Sequence, residues 1–227
     1  MTAVVVVPAR GASKGIPRKN VKPFLGRPLL AWTVETALAS GAGHVLVSTE
    51  DDEVAEVAAS CGAEVVRRPL ELAGDEVPTA PAVRHAVQGR DADYVVVLEP
   101  TAPARRVSHV TGALSLLEQS GADSVATISE VPYHFTAEKQ LRLGEDGALA
   151  AADGRPVAAM IHRRQDVEPA YAFNGLVWAC RAPVLENDTL WGERVVGYVV
   201  DAAYAIDLDR PEDWEPAEAR VRELLDA

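Results

Sequence analysis

Short apolar runs alternate with segments of helical periodicity along roughly the first 130 residues of the chain. Residues 3–8 form a continuous, mostly β-branched run, which is typical of a strand buried on both faces. Residues 28–40 then carry apolar side chains at helical spacing, and Gly41 is a natural end for that helix. Because this order of strand and helix repeats, the sequence predicts an α/β fold with helices on both faces of a doubly wound, mostly parallel sheet.

The rest of the chain continues this pattern with one interruption. Further strands are predicted over residues 44–48, 64–66, 94–98, 123–129 and 175–180, with a last strand ending near Asp207, and further helices over 51–61, 78–88, 106–120, 183–187 and 210–225. Between about 132 and 171, glycines and polar residues become frequent, and Glu145-Asp146-Gly147 is typical of a hairpin turn. We therefore expect one domain, residues 1–227, with an inserted excursion of short antiparallel strands at about 132–171.

Charge is distributed very unevenly along the chain. No acidic residue precedes Glu35, so the first 34 residues carry a net charge of +6, whereas the other 193 carry −18. The total of −12 argues against a general nucleic-acid binder. Three of the four lysines lie within residues 14–22, in a segment rich in Gly and Pro. This segment is predicted to bind an anion, with a solvated basic loop as the alternative.

The sequence also favours a cytoplasmic protein without a membrane partner. No apolar run approaches the roughly 18 residues that a membrane-spanning helix needs. The apolar start of the chain is too short for a signal peptide and lacks a preceding basic region. Cys61 and Cys180 are far apart in the sequence, which is typical of a protein from a reducing compartment.

The loop after the first predicted strand, residues 8–20, has the composition of a triphosphate-binding site. In open α/β sheets, ligands bind beyond the carboxyl ends of the strands, where this loop must lie. Gly11 and Gly15 would allow a close approach of the backbone N–H groups, and Arg10, Lys14 and Lys19 would neutralise phosphate charge. The loop matches neither the Walker A motif nor the dinucleotide fingerprint. It therefore favours a nucleoside triphosphate over a nicotinamide cofactor, and we interpret Glu50 and Asp51 as the cap of the following helix.

Two carboxylates near the carboxyl terminus suggest a metal site. Asp207 and Asp209 are two residues apart, and on an extended strand both side chains would face one Mg²⁺. Asp209-Arg210-Pro211-Glu212 is also typical of a capping box, so Asp209 could instead cap the last helix. The basic loop favours the metal role, because nucleotidyl transfer needs both cations and a metal at the phosphates.

At these positions the chain resembles the acylneuraminate cytidylyltransferase family and related CTP-dependent cytidylyltransferases. The matching stretches are residues 8–20 (PARGASKGIPRKN), 47–52 (VSTEDD), 68–75 (RPLELAGD), 98–103 (LEPTAP), 174–175 (NG) and 206–213 (IDLDRPED). The resemblance implies a Rossmann-like nucleotidyltransferase fold, and a homodimer in which the excursion crosses to the partner subunit. It also implies an enzyme in which an acceptor oxygen attacks the α-phosphate of CTP and pyrophosphate leaves.

The resemblance also assigns roles to individual residues. The implied catalytic residues are Arg10, Lys14, Lys19 and Asp209, and the implied Mg²⁺ ligands are Asp207 and Asp209. The implied nucleotide-binding residues are Ala9, Arg10, Gly11, Lys19, Asn20, Arg68 and Thr79. The implied acceptor-binding residues are Glu99, Arg164 and Asn174.

The acceptor half departs from the family pattern. The family usually has Gln-Pro-Thr-Ser-Pro where this chain has Glu99-Pro100-Thr101-Ala102-Pro103, and often Arg-Pro where Ala172-Phe173 precedes Asn174. The favoured acceptor is a sialic-acid-type 2-keto-3-deoxy sugar acid, and the alternative is a small phosphonate of the phosphonoformate type. A catalytically inactive nucleotide-binding relative is an alternative from a different class.

Overall fold

A computed structural model describes residues 2–160 and 163–226 of the chain. The helices of this part are α1 (Leu29–Ser40), α2 (Asp52–Ser60), α3 (Thr79–Val87), α4 (Val107–Ser120) and α5 (Trp214–Asp226). The strands are β1 (Ala3–Pro8), β2 (Pro23–Phe24), β3 (Arg27–Pro28), β4 (His44–Thr49), β5 (Glu64–Arg67), β6 (Tyr94–Val97), β7 (Ser124–Glu130), β8 (Leu141–Leu143), β9 (Leu149–Ala151), β10 (Tyr171–Arg181) and β11 (Val195–Val199). Most of these elements lie where the sequence predicts them.

The central sheet has seven strands in the order β11-β7-β10-β6-β1-β4-β5. Strand β1 pairs in parallel with β4 and β6, β4 pairs in parallel with β5, and β7 pairs in parallel with β11. Strand β10 runs antiparallel between β6 and β7. The prediction of an α/β fold with a mostly parallel sheet is therefore confirmed.

Both faces of the sheet are covered, as the sequence predicts. Alternate residues of a strand point to opposite faces. Val5 and Val7 pack in a core with α1, α2 and α4, whereas Val4 and Val6 pack with α3 on the other face. All four valines are buried, which explains why β1 is an uninterrupted apolar run.

A smaller apolar cluster attaches the N-terminal loop to the C-terminal helix. The Phe24 ring lies 5.5 Å from the ring of Trp214 in α5, with the planes nearly perpendicular. Ile16 and Leu208 are buried in the same cluster. The cluster therefore holds the basic loop beside the segment that carries Asp207 and Asp209.

The prediction of a last strand ending near Asp207 is wrong. Strand β11 ends at Val199, and Asp201 then accepts a hydrogen bond from the Ala203 amide at 2.8 Å to begin a 3-10 turn. Residues 205–209 are irregular, because the buried Leu208 side chain packs in the loop–helix cluster. The segment predicted as a helix over 183–187 is a 3-10 helix, Ala182–Asn187, which has fewer residues per turn than an α-helix.

The excursion leaves the sheet after β7 and returns as β10. Its regular part is an antiparallel hairpin of β8 and β9, connected around Gly147, and the remaining described residues form short turns. Several of its apolar side chains are exposed. Among the helices in the described ranges, none is long and apolar enough to cross a membrane.

Candidate active site

A cavity of about 270 Å³ lies at the carboxyl ends of β1, β5 and β6. Three segments line it: the loop after β1, the segment between β5 and the start of α3, and the residues after β6. Its lining includes Arg10, Ser13, Lys19, Asn20, Arg68, Asp75, Thr79, Glu99 and Thr101. This is the edge of the sheet at which the sequence predicts ligand binding.

Two glycines allow the basic loop to pack closely against its neighbours. A Cβ atom on Gly11 would overlap with the Asp51 side chain, and one on Gly15 would overlap with the carbonyl oxygen of Asp209. Arg18 ties the loop to α2 through ion pairs with Asp51, at 2.6 Å, and with Glu53. The Arg18 guanidinium lowers the pKa of Asp51 to about 2. The loop is therefore held on both sides by its contacts with α2 and with the segment before α5.

Two of the three cations predicted to bind phosphate are paired with one acidic residue across the cavity. Arg10 forms an ion pair with Asp75, and Lys14 Nζ lies 3.1 Å from Asp75 Oδ2. The hydrogen bond from Lys14, with the charge of Arg10, holds the pKa of Asp75 below its usual value. Lys14 does not line the cavity itself but reaches its rim through Asp75.

Lys19 connects the basic loop to the two candidate metal ligands. Its Nζ donates to the carbonyl oxygen of Leu208 at 2.5 Å and lies 3.6 Å from Asp209 Oδ1. Burial raises the pKa of Asp207, and the nearby charge of Asp209 acts in the same direction, whereas a hydrogen bond with Thr101 opposes it. The two carboxylates thus influence each other although they do not lie on a strand.

Asp213 rather than Asp209 provides the cap before the last helix. Its Oδ2 accepts hydrogen bonds from the backbone N–H groups of Asp209 and Arg210, at 3.1 and 2.7 Å. The Asp209 side chain is 73% exposed. The alternative role of Asp209 as a capping residue is therefore wrong for this structure, and its carboxylate faces Lys19 and solvent.

The pair of carboxylates fits the chemistry of a Mg²⁺ site that also uses ligands from a substrate. Mg²⁺ is usually held by one or two carboxylates together with water and phosphate oxygens. Within residues 2–160 and 163–226, no group of three or more His, Cys, Asp or Glu side chains is arranged to hold a metal ion. Protein ligands alone would therefore leave a metal at Asp207 and Asp209 incompletely coordinated.

The remaining predicted nucleotide residues lie deeper in the structure. Asn20 Nδ2 donates to the Arg10 carbonyl oxygen at 2.8 Å, which fixes the loop backbone, and Ala9 is buried beneath it. Arg68 is buried and lines the cavity. Thr79 begins α3, and its Oγ1 lies 3.5 Å from Glu99 Oε1.

The predicted acceptor residues are not all at the cavity. Glu99 lines it, and burial raises the pKa of Glu99, with the charge of Asp207 adding to the effect. Asn174 does not line it, because its side chain donates to Ser129 Oγ at 2.9 Å and accepts from the Leu176 amide at 3.2 Å. The Arg164 side chain lies outside the described residues.

Sequence reasoning missed two acidic residues at this site. Asp51 does cap α2, by accepting from the Val54 amide at 3.0 Å, but the interpretation of Glu50 as part of that cap is wrong. Glu50 accepts hydrogen bonds from Gly11 and Arg68 instead. Asp75 ends one of the stretches that carry the family resemblance, but no spacing along the chain indicates that it reaches Arg10 and Lys14.

Comparison with known proteins adds family information to this geometry. A family model described as cytidylyltransferase matches residues 4–146. N-acylneuraminate cytidylyltransferase A of Danio rerio is 33% identical over 215 residues, which are 94% of this chain and 49% of that protein. N-acylneuraminate cytidylyltransferase of Streptococcus agalactiae serotype V is 28% identical over 222 residues, with 94% and 52% coverage. The chain spans about half the length of the curated relatives it matches.

Solved structures confirm the fold. A CMP:2-keto-3-deoxy-manno-octonic acid synthetase complexed with CTP superposes with a TM-score of 0.76 at 17% identity, covering 99% of this chain and 100% of the other. A 4-diphosphocytidyl-2C-methyl-D-erythritol synthase from Anaerococcus prevotii gives a TM-score of 0.65 at 11% identity, with 97% and 98% coverage. The α/β architecture is therefore shared over nearly the whole length of these chains.

Proposed function

The chain belongs to the cytidylyltransferase family, and on that premise we propose that it is a nucleotidyltransferase that joins CMP from CTP to an acidic acceptor and releases pyrophosphate. The observation that carries this proposal is the position of Lys19. Its ammonium group lies in the lining of the cavity and 3.6 Å from Asp209, so phosphate-binding and metal-binding groups meet at one edge of the sheet. This is the arrangement that nucleotidyl transfer requires.

The basic loop would bind the triphosphate. Arg10, Lys14 and Lys19 carry the positive charges, and the backbone of Ala9 and Gly11 shapes the loop around them. Arg10 and Lys14 are already close enough together to share one carboxylate, Asp75, which supports their binding one phosphate chain.

The ribose and cytosine would lie deeper, against Asn20, Arg68 and Thr79. Arg68 supports this role because its side chain is only 5% exposed, is held by an ion pair with Glu50 and lines the cavity.

Asp207 and Asp209 would hold Mg²⁺. When bound, the ion would neutralise phosphate charge and help to orient the α-phosphate. The chain's own part is to bring Lys19 beside these carboxylates and to hold Asp207 through its hydrogen bond with Thr101. An acceptor oxygen would then attack the α-phosphate, mainly through positioning and charge neutralisation.

The acceptor is proposed to be a sialic-acid-type 2-keto-3-deoxy sugar acid. The curated relatives named above support this class through their names, N-acylneuraminate cytidylyltransferase. Glu99, Arg164 and Asn174 would contact it. Glu99 is already at the cavity, whereas Asn174 would have to exchange its present hydrogen bonds for a contact with the acceptor.

We also propose a homodimer of one-domain subunits, residues 1–227, in the cytoplasm. The excursion at about 132–171 would be the dimerisation and acceptor-site element, because it exposes apolar side chains that a second subunit would cover. Cys61 and Cys180 are free thiols, which fits a reducing compartment.

The proposed activity is tested by pyrophosphate release from CTP and Mg²⁺ with separate acceptors. We expect release with N-acetylneuraminate and a CMP conjugate of the matching mass. Release with phosphonoformate alone would move the acceptor to the phosphonate class, and CTP binding without release from any acceptor would indicate an inactive relative. Asp209→Ala should abolish release in a folded protein, whereas Glu215→Ala, an exposed carboxylate on the same part of the chain, should not.

A further inference from the structure

The carboxylate of Glu50 contacts two separate walls of the candidate active site. Its Oε1 accepts from the backbone N–H of Gly11 at 2.7 Å, and its Oε2 accepts from Arg68 Nε at 2.9 Å. Gly11 belongs to the basic loop after β1, and Arg68 follows β5. Glu50 itself follows β4, which lies between β1 and β5 in the sheet. One side chain therefore connects the carboxyl ends of three adjacent parallel strands.

This contact is buried, which makes it stiff. The side chains of Glu50 and Arg68 are both largely shielded from solvent. A buried ion pair with hydrogen bonds is costly to break, since either charge left alone would be unpaired in a poorly solvated place. Exposed ion pairs in the same region, such as Arg67 with Asp52, carry no such penalty.

The geometry also leaves part of Arg68 available. Nε donates to Glu50, and Nη2 lies 2.9 Å from Glu50 Oε2 as an ion pair but makes no hydrogen bond to any of the described residues. Because Arg68 lines the cavity, the edge of the guanidinium that Glu50 does not use can face a ligand.

We propose that Glu50 is a positioning residue of the nucleotide site, which fixes the Arg68 guanidinium and the Gly11 backbone in one mutual arrangement. Glu50 acts through these two groups and does not itself touch the nucleotide. The inference rests on the proposed function, since it concerns the same cavity. A purely structural role of Glu50 would change the stability of the protein but not its nucleotide selectivity.

The test is CTP binding in the presence of Mg²⁺, measured by titration calorimetry on the full chain well below its Tm. Glu50→Gln keeps an acceptor for the Gly11 amide but loses the charge that holds Arg68. We expect the Kd for CTP to rise about tenfold, because small displacements of a positioning contact are expensive. The preference for CTP over UTP should also fall, because Arg68 would no longer be held against the base. Glu56→Gln, the same change at an exposed position of α2, is the matched control and should bind as the wild type does.

A double variant separates positioning from a general effect on folding. If Glu50 acts through Arg68, adding Glu50→Gln to Arg68→Ala should change the Kd for CTP by less than a further twofold. Independent, additive effects would overturn the inference. So would a lowered Tm for Glu50→Gln with unchanged affinity and unchanged CTP preference.

Failure of the proposed function has a different signature. In that case the wild-type protein itself would not bind CTP, whatever residue stands at position 50. Wild-type binding together with wild-type-like Glu50→Gln would leave the proposed function intact and reject the positioning role alone.

Discussion

At the scale of single residues, the acidic groups of the cavity have opposite electrostatic environments. Asp75 lies at the rim, where Lys14 and Arg10 lower its pKa. Glu99 lies deeper, where burial raises its pKa and Asp207 adds repulsion that Arg105 and Lys19 only partly offset. The ionised form of Glu99 is therefore the one that this fold disfavours in the absence of a ligand.

Glu99→Gln is expected to stabilise the protein at neutral pH. The substitution keeps the size of the side chain and removes a charge that burial and Asp207 both oppose. A rise in Tm of about 2 °C is a reasonable scale for a change of roughly 1 kcal/mol in a chain of this length. Calorimetric melting curves of both proteins between pH 4 and pH 8 provide the measurement.

The sign of the pH dependence follows from the direction of the pKa shift. The folded protein holds the Glu99 proton to a higher pH than the unfolded chain does, whose pKa is near 4.5. The free-energy cost of ionising Glu99 in the folded protein is therefore present in full above the raised pKa, and it disappears below pH 4.5. The Tm difference should shrink as the pH falls through this window, and a difference that is independent of pH would contradict the assignment. Glu71→Gln, at an exposed position, is the control.

At the scale of elements, the segment between β5 and α3 forms one wall of the cavity and supplies its own anion. Asp75 in this segment is paired with Arg10 and Lys14, which are the groups proposed to bind the triphosphate. A nucleotide that binds these cations must displace Asp75 or share them with it. Asp75 thus competes with the ligand in the structure described here.

Asp75→Asn should therefore tighten the binding of CTP. The expected decrease in Kd is roughly two- to tenfold, since ion pairs that solvent screens are weak. Glu76→Gln removes the same charge from the next residue, which pairs with none of the described cationic side chains, and serves as the matched control in the same titration. Weaker binding by Asp75→Asn would show instead that Asp75 orients the cations for the nucleotide.

The elements that could be predicted from the sequence are those with a strong local signal. Buried valine runs predict β1 and β6. Gly41 ends α1 in a left-handed conformation, as its sequence predicts, and Gly121 ends α4 in the same way. The sequence predicts a strand around Asp207, but the apolar residues of this segment pack against α5 rather than into the sheet. Periodicity along the chain does not distinguish these two kinds of burial.

The candidate site was predictable where neighbouring residues carry the signal. The basic loop and the Asp207–Asp209 pair each carry several charges within a few residues, so a single sequence is enough to identify them. The partners of these groups could not be found in the same way. Glu50 and Asp75 contact residues of the basic loop that are 39 and 65 positions away, and such contacts follow only from the strand order of the sheet.

At the scale of the whole molecule, the excursion carries large apolar side chains that are exposed to solvent. Leu143 in β8 is 73% exposed and Phe135 is 67% exposed, although both are large and apolar. Large apolar side chains exposed in one segment are typical of surfaces that bind another protein. Since the excursion is also proposed to complete the acceptor site, assembly and acceptor binding should depend on the same residues.

A double variant, Leu143→Glu and Phe135→Glu, should convert a dimer into a monomer. We expect light scattering to give about twice the chain mass of 24.2 kDa for the wild type and the single chain mass for the variant. Leu70→Glu is the control, because Leu70 is equally exposed at 77% but lies outside the excursion. Its mass should match that of the wild type, and a monomeric wild type would reject the proposed dimer.

Nucleotide binding and transfer should separate in this monomeric variant. The groups proposed to bind CTP all lie within one subunit, in the loop after β1, in the residue after β5 and at the start of α3. The variant should therefore bind CTP with wild-type affinity while its release of pyrophosphate with a sugar acid falls at least about tenfold, because the acceptor would lose contacts from the partner subunit. Full transfer activity in a monomer would mean that one chain holds the complete acceptor site, and the exposed residues of the excursion would then serve assembly alone.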